Sequence, residues 1–207
     1  MQVPDRHDKA KILLVDDREE NLVALEAILS SLDQELVRAR SGEEALKALL
    51  TDEYAVILLD IVMPGMDGFE TAQDIKRRRK TRDVPIIFLT AVNSDPDYAF
   101  RGYAAGAVDF IAKPFDPWVL RAKVSVFVEL YNKTRQLYEQ AALLRSQSTL
   151  LSNAVAAVES QLYTVAEQSP PDLAPSIGEL ERRMLALRAA VEGLRPASAS
   201  RFDGLGE

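Results

Sequence analysis

The sequence contains no cysteine and only one histidine, and each shortage excludes a class of chemistry. Without cysteine there is no disulfide, no thiolate metal site and no cysteine nucleophile, a composition typical of proteins in a reducing cytoplasm. The one histidine, His7, lies in a polar N-terminal stretch. We therefore expect no histidine-based catalysis, no zinc site and no phosphohistidine formed on this chain.

Long apolar runs and an excess of basic residues are also missing. No run reaches the ~18–20 residues of a membrane span, and residues 1–10 are too polar for a signal peptide. The 25 Lys and Arg residues against 32 Asp and Glu give a net charge of −7. Nucleic acids and anionic membranes attract basic surfaces, so neither is an expected partner. The sequence predicts an acidic cytoplasmic protein.

Short apolar segments alternate with amphipathic patterns over the first ~125 residues. Runs at residues 11–15, 55–59, 85–89 and 108–112 are typical of strands, and Leu36-Val37 in a polar setting is typical of an edge strand. Helical patterns occupy the intervals, over residues 21–32, 42–50, 69–78 and 96–106. Five strands alternating with helices predict parallel βαβ units in one doubly wound α/β domain.

Polar residues follow four of these strands directly. Asp16 and Asp17 end the first strand, Asp60 the third, Thr90 the fourth and Lys113 the fifth. Functional groups of doubly wound sheets gather outside the carboxyl ends of the strands, so we expect these side chains to lie close together. Singly, each has a plainer interpretation, such as a helix N-cap for the paired aspartates. Five of them at one edge of a sheet indicate a site.

Three converging carboxylates repel one another unless a cation neutralises them. Oxygen ligands without His or Cys favour Mg²⁺, with Mn²⁺ as the alternative, over zinc. A lysine and a threonine nearby supply a positive charge and a hydroxyl donor for phosphate oxygens, which suits phosphoryl transfer. Asp60 follows the central strand of the expected sheet and is the expected nucleophile, because an aspartate can form an acyl phosphate.

These motifs, in this order, resemble the receiver domain of two-component response regulators. The resemblance covers residues 10–126 and rests on the polar residues above together with Met63-Pro64-Gly65-Met66-Asp67-Gly68, Thr90-Ala91 and Lys113-Pro114-Phe115. Residues 16–22 are similar to receivers attached to hybrid histidine kinases. The resemblance implies a flavodoxin-like α/β fold with a five-stranded parallel sheet in the order 2-1-3-4-5.

The resemblance also implies roles for the polar residues. Asp60 would be phosphorylated from the phosphohistidine of a partner kinase. Asp17, Asp60 and the backbone carbonyl of Val62 would hold Mg²⁺, and Asp16 would act on the ion largely through water.

Two further positions follow from the same resemblance. Lys113 would pair with the phosphoryl group, and its peptide bond to Pro114 would be cis. Thr90 would move onto the phosphate and draw in Phe110, the aromatic switch position. Phe110 has no hydroxyl, so its switching would depend on packing.

The second half of the sequence follows a heptad pattern. Apolar or small residues recur at alternating steps of three and four over almost six heptads, and no Pro or Gly interrupts residues 119–169. The pattern predicts that the last receiver helix continues into a coiled coil, over residues 127–168, that joins two copies in a dimer. The series is Phe127, Leu130, Thr134, Leu137, Ala141, Leu144, Ser148, Leu151, Val155, Val158, Leu162 and Val165.

The remaining segments complete the predicted organisation. Residues 1–9 form a flexible N-terminus, and residues 169–175 are a Pro-rich break. A second amphipathic helix is expected at 176–195, followed by a disordered tail at 196–207. This helix could fold back on the first or pair elsewhere, and the long helix could instead pack on its own receiver.

We interpret the sequence as a bacterial phosphorelay response regulator without a recognisable output domain. It would accept phosphate from a sensor or hybrid histidine kinase and signal through dimerisation or binding of a downstream protein, not through DNA. A phosphoryl shuttle or phosphate sink for a kinase is the alternative. A magnesium-dependent phosphotransferase acting on small molecules is disfavoured, because no second carboxylate follows in Asp60-Ile61-Val62. Beyond self-phosphorylation and autodephosphorylation, no enzyme activity is expected.

Overall fold

The computed structural model describes residues 9–91 and 101–193. The chain divides into two compact units, residues 1–134 and 135–207. The predicted flexible N-terminus up to residue 8, residues 96–100 of the helix predicted at 96–106 and the predicted tail lie outside the described residues. None of the helices in the described ranges combines the length and apolarity that a membrane span requires.

The first unit contains a five-stranded parallel sheet in the order β2-β1-β3-β4-β5, which confirms the predicted fold class. Each βα crossover places the next strand in the same direction, as the alternation in the sequence indicates. β1, β3, β4 and β5 arise from the four apolar runs, and β2, which contains Leu36-Val37, lies at an edge of the sheet as predicted. The strands are β1 (Lys11–Val15), β2 (Glu35–Ala39), β3 (Val56–Asp60), β4 (Ile86–Ala91) and β5 (Asp109–Lys113).

Helices flank the sheet, and side chains cap the beginnings of two of them. Ser41 accepts a hydrogen bond from the backbone N–H of Glu44, and Asp67 and Glu70 form a reciprocal capping box. The helices are α1 (Glu19–Leu29), α2 (Gly42–Thr51), α3 (Gly68–Arg77), α4 (residues 101–104), α5 (Pro117–Gln168) and α6 (Ala174–Gly193), with 3₁₀ turns at Ser30–Leu32 and Pro171–Leu173.

Two apolar clusters fill the two faces of the sheet. On one face, Leu13, Ile57 and Phe88 pack against α2 and α3. On the other, Ile12, Leu58 and Ile111 pack against α1 and the first turns of α5. β3 is buried along its whole length, which explains its unbroken apolar sequence. This packing holds the carboxyl ends of the strands in fixed positions.

An ion pair joins β2 to α1. Arg38 donates through Nε to Glu26 Oε1 at 2.5 Å and through Nη2 to the second oxygen. The hydrogen bonds from Arg38 lower the pKa of the Glu26 carboxyl below its ordinary value. The stabilisation is therefore present above the pKa of the unfolded carboxyl and is lost as the pH falls through the lowered folded pKa.

We expect Arg38→Gln to reduce the free energy of unfolding by about 0.5–1 kcal/mol at neutral pH, because the pair is half-exposed and bidentate. Urea denaturation near pH 3 should show little difference between variant and wild type. Arg82→Gln, which removes an exposed pair with Asp83 at 3.7 Å, is the control and should change little at either pH. An equal loss for Arg38→Gln at both pH values would contradict the ionic explanation.

The second unit is built from the remainder of α5 and from α6. α5 continues without interruption to Gln168, and α6 begins at Ala174. The break is shorter than the Pro-rich stretch suggests, because Pro175 fits the first turn of a helix, where its missing N–H has no role. Within this unit Arg188 Nη1 lies 3.5 Å from Glu159 Oε2, so α6 folds back along α5.

The predicted heptad residues have different environments. In the first unit Phe127 packs against the apolar cluster beside α1, whereas Leu130 is 60% exposed. In the second unit Val155 and Leu162 are half-buried. Five other leucine and valine residues of the series are at least half-exposed in this single chain: Leu137, Leu144, Leu151, Val158 and Val165. A two-chain coiled coil stays a prediction.

Candidate functional site

The register of the sheet brings the polar strand ends together. Val15 lies opposite Leu59, so Asp16 and Asp60 follow side by side at the ends of β1 and β3. Asp60 in turn lies opposite Leu89, the residue before Thr90. On the far side of β4, Lys113 lies opposite Ala91. The sequence pattern therefore places these side chains at one edge of the sheet.

Lys113 binds two of the aspartates directly. Its Nζ lies 2.7 Å from Asp16 Oδ2 and 3.0 Å from Asp60 Oδ1. Strands in a sheet are about 4.8 Å apart, so a residue on β5 reaches β3 only with a long side chain that crosses the end of β4. Asp16 is fully buried and Asp60 nearly so. The lysine ammonium therefore supplies the positive charge that two buried carboxylates require.

Asn21 is a site residue that the sequence analysis did not identify. Its Nδ2 donates to Asp16 Oδ1 at 2.8 Å, and the backbone N–H of Arg18 donates to the same oxygen at 3.0 Å. Together with Lys113, these donors hold the buried carboxylate in one orientation. A polar residue in the first turn of α1, five positions after Asp16, was the available signal.

The pKa of Asp60 is raised above its ordinary value, mainly because burial disfavours the charged form. Hydrogen bonding and attraction from Lys113 oppose the rise, whereas the nearby charge of Asp16 adds to it. The backbone N–H of Val62 also donates to the Asp60 carboxylate and lowers its pKa. Asp60 is therefore a carboxylate that a further cation would stabilise.

The donor set fits a divalent magnesium ion. Asp16, Asp17 and Asp60 each offer a carboxylate oxygen, and these oxygens all lie within 4.8 Å of one another. Two oxygens on one Mg²⁺ lie about 3–4 Å apart, so small side-chain rotations would complete such a site. Asp17 is exposed to solvent, which suits an ion that keeps several of its waters.

The loop after Asp60 is held tightly against α3. The backbone N–H of Gly68 donates to the Ile61 carbonyl at 2.9 Å, and the Asp67 capping box fixes the start of the helix. A Cβ at Gly68 would lie 2.2 Å from the Asp60 backbone oxygen, so only glycine allows this approach. Val62 is 74% exposed on the same loop. The Lys113–Pro114 peptide bond is cis, which confirms the expectation from the resemblance.

Phe110 lies in a row of aromatic rings. Its centroid is 5.7 Å from that of Phe88 and 5.0 Å from that of Tyr103, and Phe88 contacts Phe69 at 5.2 Å. A Cβ at Gly102 would lie 2.3 Å from the Phe110 ring, so the ring occupies the space that glycine leaves. Phe110 is half-buried and pairs in the sheet with Phe88, two residues before Thr90.

Comparisons with known proteins agree with this geometry. The family model described as the response regulator receiver domain matches residues 12–125, more than half of the chain. The chain is 40% identical over 129 residues to the "Probable transcriptional regulator ycf27" of Guillardia theta. This alignment covers 62% of this chain and 49% of that protein. The chain is 41% identical over 115 residues to the response regulator PleD of Caulobacter vibrioides, which covers 56% of this chain and 25% of that protein. The chain therefore spans half or less of the length of these curated relatives.

Solved structures give the same answer. The receiver domain of a signal transduction histidine kinase from Syntrophus aciditrophicus matches with a TM-score of 0.54 at 32% identity, over 58% of this chain and 90% of that one. The family match, the sheet order and the cluster of strand-end aspartates coincide on the same residues. By these criteria the chain belongs to the family of response regulator receiver domains.

Proposed function

We propose that Asp60 is the phosphoacceptor of this chain and that a histidine kinase is its donor. The observation that carries the proposal is the contact of Lys113 with both Asp16 and Asp60, which assembles buried carboxylates and a cation at the end of the central strand. Asp16, Asp17, Asp60 and the Val62 carbonyl would hold Mg²⁺. When bound, the ion would neutralise charge on the transferred phosphoryl oxygens.

The proposed chemistry needs only groups of this site and the donor. A carboxylate oxygen of Asp60 attacks the phosphorus of the kinase phosphohistidine, the P–N bond breaks, and the imidazole leaves with the bonding electron pair. The product is an acyl phosphate on Asp60. Lys113 lies within 3.0 Å of Asp60 and would pair with the incoming phosphoryl oxygens.

Phosphorylation would then change the conformation of the receiver through Thr90 and Phe110. We propose that Thr90 moves onto the phosphoryl group and that the Phe110 ring moves inward. Phe110 contacts Phe88 and Tyr103, so a change in its position repacks the face formed by α4 and β5. This is a shift between two populated states of the receiver.

The proposed output is dimerisation or the binding of a partner protein by the helical second unit, without DNA binding. The net charge of −7 and the exposed leucine and valine residues of α5 support it. The ycf27 relative is named a probable transcriptional regulator, but the alignment covers about half of that protein. The output of that protein is therefore not carried over to this chain.

The test is the solution mass by light scattering, with Mg²⁺, before and after beryllofluoride is added as a mimic of the phosphoryl group. We expect a change of mass or shape that Asp60→Asn abolishes. A dimer with no change would favour a fixed scaffold and the phosphate-sink function. A chain that acquires no phosphate from any donor would contradict the proposed function as a whole.

The Mg²⁺-free site also gives a prediction about stability. Lys113→Met keeps the length of the side chain but leaves the carboxylates of Asp16 and Asp60 without their cation. We expect the free energy of unfolding to fall by about 1–3 kcal/mol, because uncompensated buried charge is costly. Urea denaturation with and without Mg²⁺ measures it, and Mg²⁺ should restore part of the loss. An unchanged stability in both conditions would contradict this account of the site.

A further inference from the structure

The second unit contains a helical hairpin, which we define as α5 from residue 135, the turn and α6. Its two helices run antiparallel, because Arg188 and Val191 lie beside Glu159 and Ser152 and a short turn joins the helix ends. Val191 is 7% exposed and lines a cavity of about 210 Å³ between the helices. The half-buried α5 residues recur every three or four positions and mark the side that faces α6. They are Ser148, Ser152, Val155, Glu159, Leu162 and Ala166.

A second row of apolar residues on α5 lies beside this seam and is uncovered. Seen from the N-terminus of α5, Leu151 and Val158 lie about 40° and 60° anticlockwise of Val155, at about 100° per residue. Each is 50% exposed, and Leu144 and Val165 of the same row are 61% and 56% exposed. The apolar row therefore continues for six turns of helix without a partner in this chain.

α6 carries a matching row. Leu180 and Leu187 lie about 40° and 60° anticlockwise of Met184, seen from the N-terminus of α6. They are 50% and 49% exposed. Because the helices are antiparallel, an anticlockwise row on each falls on the same side of the hairpin. We call this side the open face, formed by Leu144, Leu151, Val158, Val165, Leu180 and Leu187.

The open face suits a second copy of the same face. Within the described range, the polar residues that α5 contributes to the open face are all glutamines. Each glutamine can both donate hydrogen bonds to and accept them from the same residue of the second copy. The ionic residues at its α6 margin, Arg183 and Glu179, already pair with each other at 3.0 Å. No like charges would therefore meet across a two-fold axis. The charged residues Arg145, Glu167 and Glu192 project by the same helical geometry toward the opposite side.

The open face is large enough to form a stable interface between two copies. Leu144 to Val165 spans about 32 Å at about 1.5 Å per residue, and two adjacent helices are about 18 Å wide. Contact over this face would bury roughly 600 Å² on each copy, or about 1,200 Å² in total, which reaches the range of stable interfaces. Apolar patches of several hundred Å² on a protein surface mark interaction sites.

We propose that two hairpins associate through their open faces into a four-helix bundle. The inference rests on the proposed self-association and names its surface. It differs from a two-stranded coiled coil, because α6 occupies the Val155 and Leu162 positions and contributes Leu180 and Leu187 to the interface.

The test uses the full chain and a matched pair of variants on one helix. Leu187→Glu places a charge on the open face, and Leu185→Glu places it on the opposite side, where Leu185 is 58% exposed. We expect wild type and Leu185→Glu to have twice the chain mass by light scattering. Leu187→Glu and, on the other helix, Leu151→Glu should raise the dissociation constant of the dimer about 100-fold or more, because a charge would be buried without a partner.

A second measurement does not depend on destabilisation. The chain has no cysteine, so Leu187→Cys or Leu185→Cys introduces a single reactive thiol. A short bismaleimide should link two copies through Leu187→Cys and not through Leu185→Cys. If only Leu151→Glu dissociates the dimer, the two-stranded coiled coil replaces the bundle. A dimer unaffected by any variant overturns the interface but leaves self-association intact, whereas a wild type that is monomeric both with and without beryllofluoride overturns both.

Discussion

Asp60→Asn should abolish phosphorylation of this chain entirely. The substitution removes the carboxylate that ends the central strand and lies 3.0 Å from Lys113, and an amide cannot form the acyl phosphate. Incubation with acetyl phosphate and Mg²⁺ should add one phosphoryl group to the intact mass of the wild type and none to the variant. Asp83→Asn, which removes an exposed carboxylate at the opposite end of the strands, is the control and should be phosphorylated normally.

The same variant separates chemistry from folding. Burial raises the pKa of Asp60, and the charge of Asp16 adds to the rise, so the ionised carboxylate costs free energy in the folded state. A neutral amide of similar shape removes this cost. We therefore expect Asp60→Asn to unfold at the same or a higher urea concentration than wild type without Mg²⁺, and to lose the stabilisation by Mg²⁺. Phosphorylation that persists in this variant would place the acceptor on another residue.

The sheet and its polar edge could be predicted from the sequence for a physical reason. Strands buried on both faces require unbroken apolar runs, and each run ends where a polar residue appears, as at Asp16 and Asp60. The parallel arrangement then brings those ends together. Asn21 was not predicted because its spacing from Asp16 places it in the first turn of α1 but does not give the orientation of the Asp16 carboxylate, on which its role depends.

The packing of the helical region, in contrast, could not be predicted from the sequence. Apolar residues that recur at alternating steps of three and four indicate that a helix has an apolar side. They do not identify which part of the protein or which partner covers that side. In the structure one flank of that side, including Val155, faces α6, whereas Leu151 and Val158 remain exposed. The return of α6 depends on contacts such as Arg188 with Glu159, which are 29 residues apart. Such long-range pairs cannot be derived from a local pattern.

The contacts among the aromatic rings around Phe110 could not be predicted from a local sequence pattern either. The sequence places Phe88 in a buried strand and Phe110 in the neighbouring one, but their contact depends on the register of β4 and β5. Gly102 leaves room for the Phe110 ring because it has no side chain, since a Cβ at this position would lie 2.3 Å from the ring. Packing of this kind becomes visible only when helix and sheet are seen together.

Gly68→Ala should damage both the fold and the site, although alanine normally favours a helix. Gly68 is the first residue of α3, where alanine is ordinarily better than glycine by up to about 1 kcal/mol. Here the new Cβ would lie 2.2 Å from the Asp60 backbone oxygen and 2.8 Å from Ile61 Cα. Both are backbone atoms and cannot rotate away, so the loop that follows the phosphoacceptor must shift. We expect the free energy of unfolding to fall by about 2–3 kcal/mol.

The displaced loop should also slow phosphorylation, because it carries Val62, whose N–H binds the Asp60 carboxylate. Misplacement of a reacting group by about 1 Å costs up to about 100-fold in rate. Gly178→Ala is the matched control, since a Cβ at this position in α6 meets nothing within 4 Å. That variant should gain about 0.5–1 kcal/mol and keep the wild-type rate of phosphorylation from acetyl phosphate. If Gly68→Ala were equally stable and equally fast, the contact between α3 and β3 would not be what positions Asp60.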